Sequence, residues 1–190
     1  MNYSFKMLIA LALGLISLSS CKKDPVVPEE LQHQELNIDM NQYGDLAFLT
    51  FDNKGFEVIG PQELGNRGEA VRFALMRRSD ATSHHWILVS PDDELLDSEA
   101  ILFDWTTRAM MHLRELPASE YDAANPKSQA DLDDLYANAK TYTPDGRRSG
   151  PLSPDTVILA KKDGDDTTYV IYIKICVEGD DWKVCIEASW

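Results

Sequence analysis

Two alternating segments around a short acidic turn end the chain, and they constrain its fold more than any other feature. From Tyr169 to Val177 the odd positions Tyr169, Ile171, Ile173, Ile175 and Val177 are all apolar or aromatic. From Trp182 to Trp190 the even positions take that role. A period of two marks strands with one buried face. Gly179-Asp180-Asp181 between them predicts an antiparallel hairpin. Placing Cys176 opposite Cys185 sets Lys174 against Glu187, Glu178 against Lys183, Val177 against Val184 and Ile175 against Ile186. A shift of two residues sets Lys174 against Cys185 and Cys176 against Lys183. The first register satisfies charge, apolar and thiol pairing together and is the one expected.

The rest of the chain reads as strands, then helices, then strands. Asp45 to Phe51 and Phe56 to Ile59 flank Asp52-Asn53-Lys54-Gly55, whose Asn and Gly suit a hairpin turn. Ala70 to Arg77, with Val71, Phe73 and Leu75 on one face, is expected to pair with His84 to Val89. Ser90-Pro91-Asp92-Asp93-Glu94 has the residues of a helix start. From Ser98 to Leu116, apolar residues at Leu102, Trp105, Ala109, Leu113 and Leu116 recur at helical spacing, and Pro117 ends the run. A second helix is expected from Ser128 to Tyr142 on Leu132, Leu135, Tyr136 and Ala139. Tyr142 to Pro154 is a Pro/Gly loop. Val157 to Ala160 then begins a C-terminal three-stranded meander. The expectation is an α+β domain, mainly antiparallel sheet with two or three helices inserted before that meander.

The first 20 residues differ in kind. A start with the single charge of Lys6 leads into the apolar run MLIALALGLISL, too short to span a bilayer, which needs about 20 residues. Leu18-Ser19-Ser20-Cys21 follows: a branched apolar residue, two small residues and a thiol. This resembles the lipobox of bacterial lipoproteins. The resemblance implies lipid on the Cys21 sulfur, cleavage before Cys21 and acylation of the new amine. Each buried CH2 contributes about 0.8 kcal/mol, so several acyl chains hold a protein stably where one does not. The CKKD start is similar to Bacteroidota-type envelope lipoproteins, and no Asp follows the Cys, which favours the outer membrane. The expected division is a signal peptide at 1–20, a lipidated N-terminus and flexible tether at 21–42, and one domain at 43–190. The whole chain carries a net charge of −14. Such acidity repels phosphate backbones and argues against nucleic-acid binding. The expected partners are the bilayer, through acylated Cys21, and an envelope protein.

With Cys21 acylated, Cys176 and Cys185 remain as an even pair in an oxidising compartment, expected to form a cross-strand disulfide. A closed loop of about ten residues stabilises by roughly 2–3 kcal/mol in the entropy model. The spacing is not CxxC, which disfavours a redox dithiol.

No other chemistry stands out. Asp163-Gly164-Asp165-Asp166 and Glu178-Gly179-Asp180-Asp181 lie at opposite ends of one strand and cannot share a cation. His84 and His85 are adjacent on a strand and point to opposite faces. His112 has Leu116, not a ligand, at i+4, and His33 falls in the tether. No GxSxG, phosphate loop or HExxH is present. Asp92 and Asp93 are paired carboxylates where a helix start places acids anyway. Trp86, Trp105, Trp182 and Trp190 are assigned mainly to the core. No cofactor or metal is expected. The leading expectation is a non-enzymatic binding or assembly module. The alternatives are a small lipid-anchored hydrolase and a structural subunit of an envelope complex.

Overall fold

The computed structural model describes residues 30–79, 83–98, 105, 107–174 and 183–190. These form an α+β domain of two antiparallel sheets packed face to face. Its strands are β1 (His33–Asp39), β2 (Leu46–Asp52), β3 (Gly55–Ile59), β4 (Val71–Ser79), β5 (His84–Val89), β6 (Met111–Pro117), β7 (Thr156–Lys162), β8 (Thr168–Lys174) and β9 (Lys183–Ser189). Helices α1 (Ala118–Ala124) and α2 (Gln129–Asn138) lie between β6 and β7. The larger sheet runs β1-β9-β8-β7-β6 and the smaller β3-β2-β4-β5. None of the described helices is long and apolar enough to cross a membrane.

Three apolar layers hold this arrangement. The central layer lies between the sheets and includes Leu49, Phe73, Leu88, Met111, Ile158 and Ile171. A second layer covers the outer face of the smaller sheet with Phe48, Val71, Met76, Leu96 and Trp105. A third packs Leu132 of α2 and Ala118 of α1 on Val157, Leu159 and Val170. Leu31 joins this third layer, so the fold captures the chain before β1 begins. Most strands are therefore buried on both faces, which softens the alternation that a one-sided sheet would show.

The β2–β3 hairpin forms as expected. Asp52 pairs with Gly55, and the Asp52 carboxylate accepts the Lys54 N–H at 2.7 Å. β4 and β5 pair as expected too, from Ala74 with Val89 to Ser79 with His84. The α2 start also matches: Ser128 caps it, its hydroxyl accepting the Asp131 N–H while the Asp131 carboxylate accepts the Ser128 N–H.

Four expectations are corrected. Residues 111–117, expected as the end of a long helix, are strand β6. Met111 and Leu113 face the central layer, whereas Leu116 faces the helices. With both faces covered, apolar residues fall on either side and imitate helical spacing. The antiparallel ladder to β7, from Met111 with Lys162 to Pro117 with Thr156, supplies the hydrogen bonds. Over the described residues the helix start at Ser90 gives a turn and a short 3-10 helix, Glu94–Ser98, with the Ser90 hydroxyl accepting the Met111 N–H instead of capping, while Leu102 of the expected helical run lies outside the described residues. Val71 does not share a face with Phe73 and Leu75. Leu49 pairs with Phe73 and Thr50 with Val71, so Arg72 is an inserted residue that turns Val71 to the other layer. Lastly, Lys174 faces Cys185 and Ile173 faces Ile186, two residues from the expected hairpin register. A slip of two keeps every side chain on its face, so alternation cannot select between the registers. The register found still gives the Lys174–Glu187 ion pair, diagonally at 2.9 Å, and aligns Ser189 with both Val170 and His33.

β1 itself lies within residues 21–42, the span expected to be tether. Only Leu36 and Ile38 of its inward row are apolar. The third inward residue, Gln34, instead clips β3: its side-chain amide donates to the Phe56 carbonyl at 2.8 Å and accepts the Phe56 N–H at 2.7 Å. Gly55 makes that clip possible. Its φ is 107°, and a Cβ there would lie 2.5 Å from Gln34 Oε1 and 2.9 Å from the Trp190 ring. Gly164 also has positive φ, but open space surrounds it. Gly164→Ala is therefore expected to cost about 1–2 kcal/mol from backbone strain alone. Gly55→Ala should cost clearly more, since it also displaces Gln34 and Trp190. Urea denaturation of both variants checks this, and equal midpoints would contradict the close packing.

Candidate functional site

Cys21 and Cys176 lie outside the described residues, as do Trp182 and the turn at 178–181. Cys185 is half-buried on the outer face of β9, with its Sγ 2.9 Å from Asn37 Oδ1 on β1. The other acidic turn is an ordinary connection. The Asp165 N–H donates to the Lys162 carbonyl, and the Asp165 carboxylate accepts the Thr167 N–H. Trp105 is buried edge-on against Phe48, and Trp190 packs against Phe51 and Phe56. Trp86 is half-buried against the central layer. His84 and His85 sit on β5, and His112 sits on β6 rather than a helix.

The fold brings together a group that the sequence does not reveal. His33 at the start of β1 and Ser189 at the end of β9 are paired residues, and His33 Nδ1 is 2.8 Å from Ser189 Oγ. Glu187 lies 3.9 Å from the same nitrogen. Serine, histidine and carboxylate invite comparison with a nucleophilic triad, but the geometry differs in two respects. A triad needs the serine on one ring nitrogen and the acid on the other. Here Nδ1 meets both. The nucleophile must also reach substrate, whereas Ser189 is 1% exposed. Nearby, burial pushes the Tyr121 phenol up to about 12. Lys174 completes the patch, bonded to Glu187 and lying 4.0 Å from the centre of the Tyr172 ring. Chemically this is a satisfied polar face on β1, β9 and β8.

The paired carboxylates Asp92 and Asp93 are likewise committed. Asp92 binds Arg147, and Asp93 binds Arg148 Nε at 2.7 Å with its side chain 1% exposed. The second Asp93 oxygen accepts the Leu95 N–H at 2.7 Å. Glu94 takes Arg148 Nη2 at 3.0 Å. These ion pairs hold a strap, residues 146–152, along one side of the sandwich. The Leu113 N–H on β6 donates to the Gly146 carbonyl, while the Ser149 and Leu152 N–H groups donate to Leu88 and Trp86 on β5. Glu115 on β6 accepts the Gly150 N–H from the same strap.

Two hollows remain. One of about 450 Å³ is lined by Gln42, Tyr43 and Gly60–Glu63. Its volume is within the ligand-site range, but Tyr43 is its one aromatic wall, and the Glu63 carboxylate already accepts the Gly60 N–H. The other, about 210 Å³, lies among Glu30, Leu31, Gln32, Gln129, Thr167 and Trp190, where the chain enters the fold. Among the described residues no three His, Cys, Asp or Glu side chains gather to hold a metal.

The strap carries a pH signature. Burial pushes the Glu115 carboxyl above its ordinary range, with the Gly150 N–H pulling the other way. The folded chain thus holds the Glu115 proton more tightly than the unfolded chain does. Its support for the fold is complete below the unfolded-state pKa and is lost as pH rises through the folded-state value. Glu115→Gln keeps an acceptor for Gly150 and removes the ionisation. The variant should melt above the parent at neutral pH, and the gap should close below about pH 4. A gap that does not vary with pH would refute the burial of this charge.

No family model, curated protein or solved structure matches this chain.

Proposed function

We propose that this chain is a bacterial envelope lipoprotein, tethered to the outer membrane through acylated Cys21, whose two-sheet domain acts as a non-enzymatic binding or assembly module. One observation carries the reading: a lipobox cysteine stands just ahead of a domain that begins almost at once. Glu30 already bridges Ser128, and Leu31 is buried. The link at 22–29 can reach at most roughly 30 Å when fully extended. The domain is therefore displayed close to the bilayer, with the end bearing Glu30, Gln129 and Trp190 nearest the anchor. Acyl chains in the lipid reconcile that position with a net charge of −14, which would otherwise keep the protein from an anionic surface. No observation favours the hydrolase alternative: among the described residues, Ser189 is buried, and Asp92 and Asp93 are bound to arginines.

The Cys176–Cys185 disulfide belongs to the same proposal. It is supported by the oxidising compartment that the lipobox implies and by the sequence alternation, which gives both cysteines the polar parity, although Lys174 rather than Cys176 stands opposite Cys185.

Two measurements test the reading. The wild-type chain should take up a labelled fatty acid and sediment with membranes, while Cys21→Ser should lose the label and keep its leader. Alkylation of the mature protein before reduction should label no thiol. Label retained on Cys21→Ser would overturn the anchor, and two reactive thiols would overturn the disulfide.

A further inference from the structure

We propose that the outer edge of β1 binds an extended polypeptide segment of alternating basic and apolar residues, which adds to the larger sheet as a sixth strand. This rests on the binding-module reading above and names the partner for it.

The two sheets have four edges, and the chain treats them differently. The edge of β6 is taken up by the Gly146 carbonyl at Leu113 and by Lys140, which exchanges both backbone hydrogen bonds with Glu115. The edge of β5 is covered by Ser149 and Leu152. On β3, both outward backbone groups of Phe56 are held by the Gln34 amide. β1 is left open. Gln32 and Trp190 exchange both backbone hydrogen bonds, so by the antiparallel alternation Gln34, Leu36 and Ile38 also bond to β9. The N–H and C=O groups of Glu35 and Asn37 then point away from the sheet. Among the described residues none pairs with them. Both residues are exposed, and the strand has no proline and no bulge in its ladder to β9. An edge of this kind is a template for another strand unless it is blunted.

The side chains specify the occupant. Glu35 and Asp39 stand on the outer face, and among the described residues neither forms an ion pair. Leu36 of β1 and Val58 of β3 are half-buried on the inner side, at the open margin of the central layer. A strand laid beside β1 would place one row of side chains by Glu35 and Asp39 and the other over Leu36 and Val58. Basic residues fit the first row and apolar residues the second. A second copy of this chain fits poorly: β1 paired with β1 would bring these acids together on a protein already at −14.

The probe is a seven-residue peptide alternating lysine and valine, added to the full mature lipoprotein in neutral detergent micelles. Amide hydrogen exchange should show Glu35 and Asn37 gaining protection. The same peptide with glutamate for lysine should bind at least about tenfold more weakly. Glu35→Pro removes one outward N–H and should weaken binding by about tenfold or more, whereas Glu35→Gln keeps it and should cost only a few-fold. Protection confined to other strands, equal binding of the acidic peptide, or full affinity in Glu35→Pro would overturn the proposal. So would a dimer whose β1 amides are protected without peptide. Should Glu35→Pro fail to fold, the amide map and the two-peptide comparison still decide. Loss of lipidation would overturn the anchor and leave this measurement standing.

Discussion

The buried ion pair between Asp93 and Arg148 is the interaction on which the sandwich closes. A charge that leaves water incurs a penalty of several kcal/mol, offset only when partners meet it with good geometry. Asp93 has both oxygens engaged, one by Arg148 and one by the Leu95 N–H. Arg148 is thereby fixed, and with it the strap from 146 to 152. That strap hydrogen-bonds to β5 of one sheet and β6 of the other. Without it both edges would open on the same side, and Leu88 and Met111 would lie next to solvent.

The opposite side closes by a lighter device. A single side-chain amide, Gln34, joins β1 to β3, packed against Gly55 and Trp190. Phe51, Phe56 and Trp190 support it with ring centres 5.0 to 5.6 Å apart. The clip reaches only the first part of β1 and leaves Glu35 and Asn37 facing outward. Among the described residues, the asymmetry between a strapped side and a clipped side leaves β1 as an open edge. It also runs alongside the polar patch of His33, Glu187 and Lys174.

Local chemistry was legible wherever one short segment holds the whole signal. The Asp52–Gly55 turn carries its own Asx bond and positive-φ glycine. Ser128 and Asp131 cap each other across three residues. The strand at 183–189 alternates over most of its length, because much of the outer face of β9 lies beyond the helices, whereas β8 is buried on both faces from Thr168 to Ile171. The candidate site was not legible. His33 and Ser189 are 156 residues apart, and neither has a neighbour that marks it. Arg147 and Arg148, the partners of the acids at 92–94, sat in a stretch that reads only as a proline- and glycine-rich loop.

By itself the sequence determined the class of fold, the Asp52–Gly55 turn, the start of α2 and the lipobox on which the anchoring proposal rests. Each of these depends on residues within a few positions of one another. Tertiary structure alone decided that 111–117 is a strand, that β1 belongs to the fold, and that β8 and β9 pair two residues from the expected register. The physical reason is common to all three. Periodicity reports which face of a segment is buried. It is blind to a slip of two residues, it fades where both faces are covered, and it cannot name the distant strand that completes a ladder.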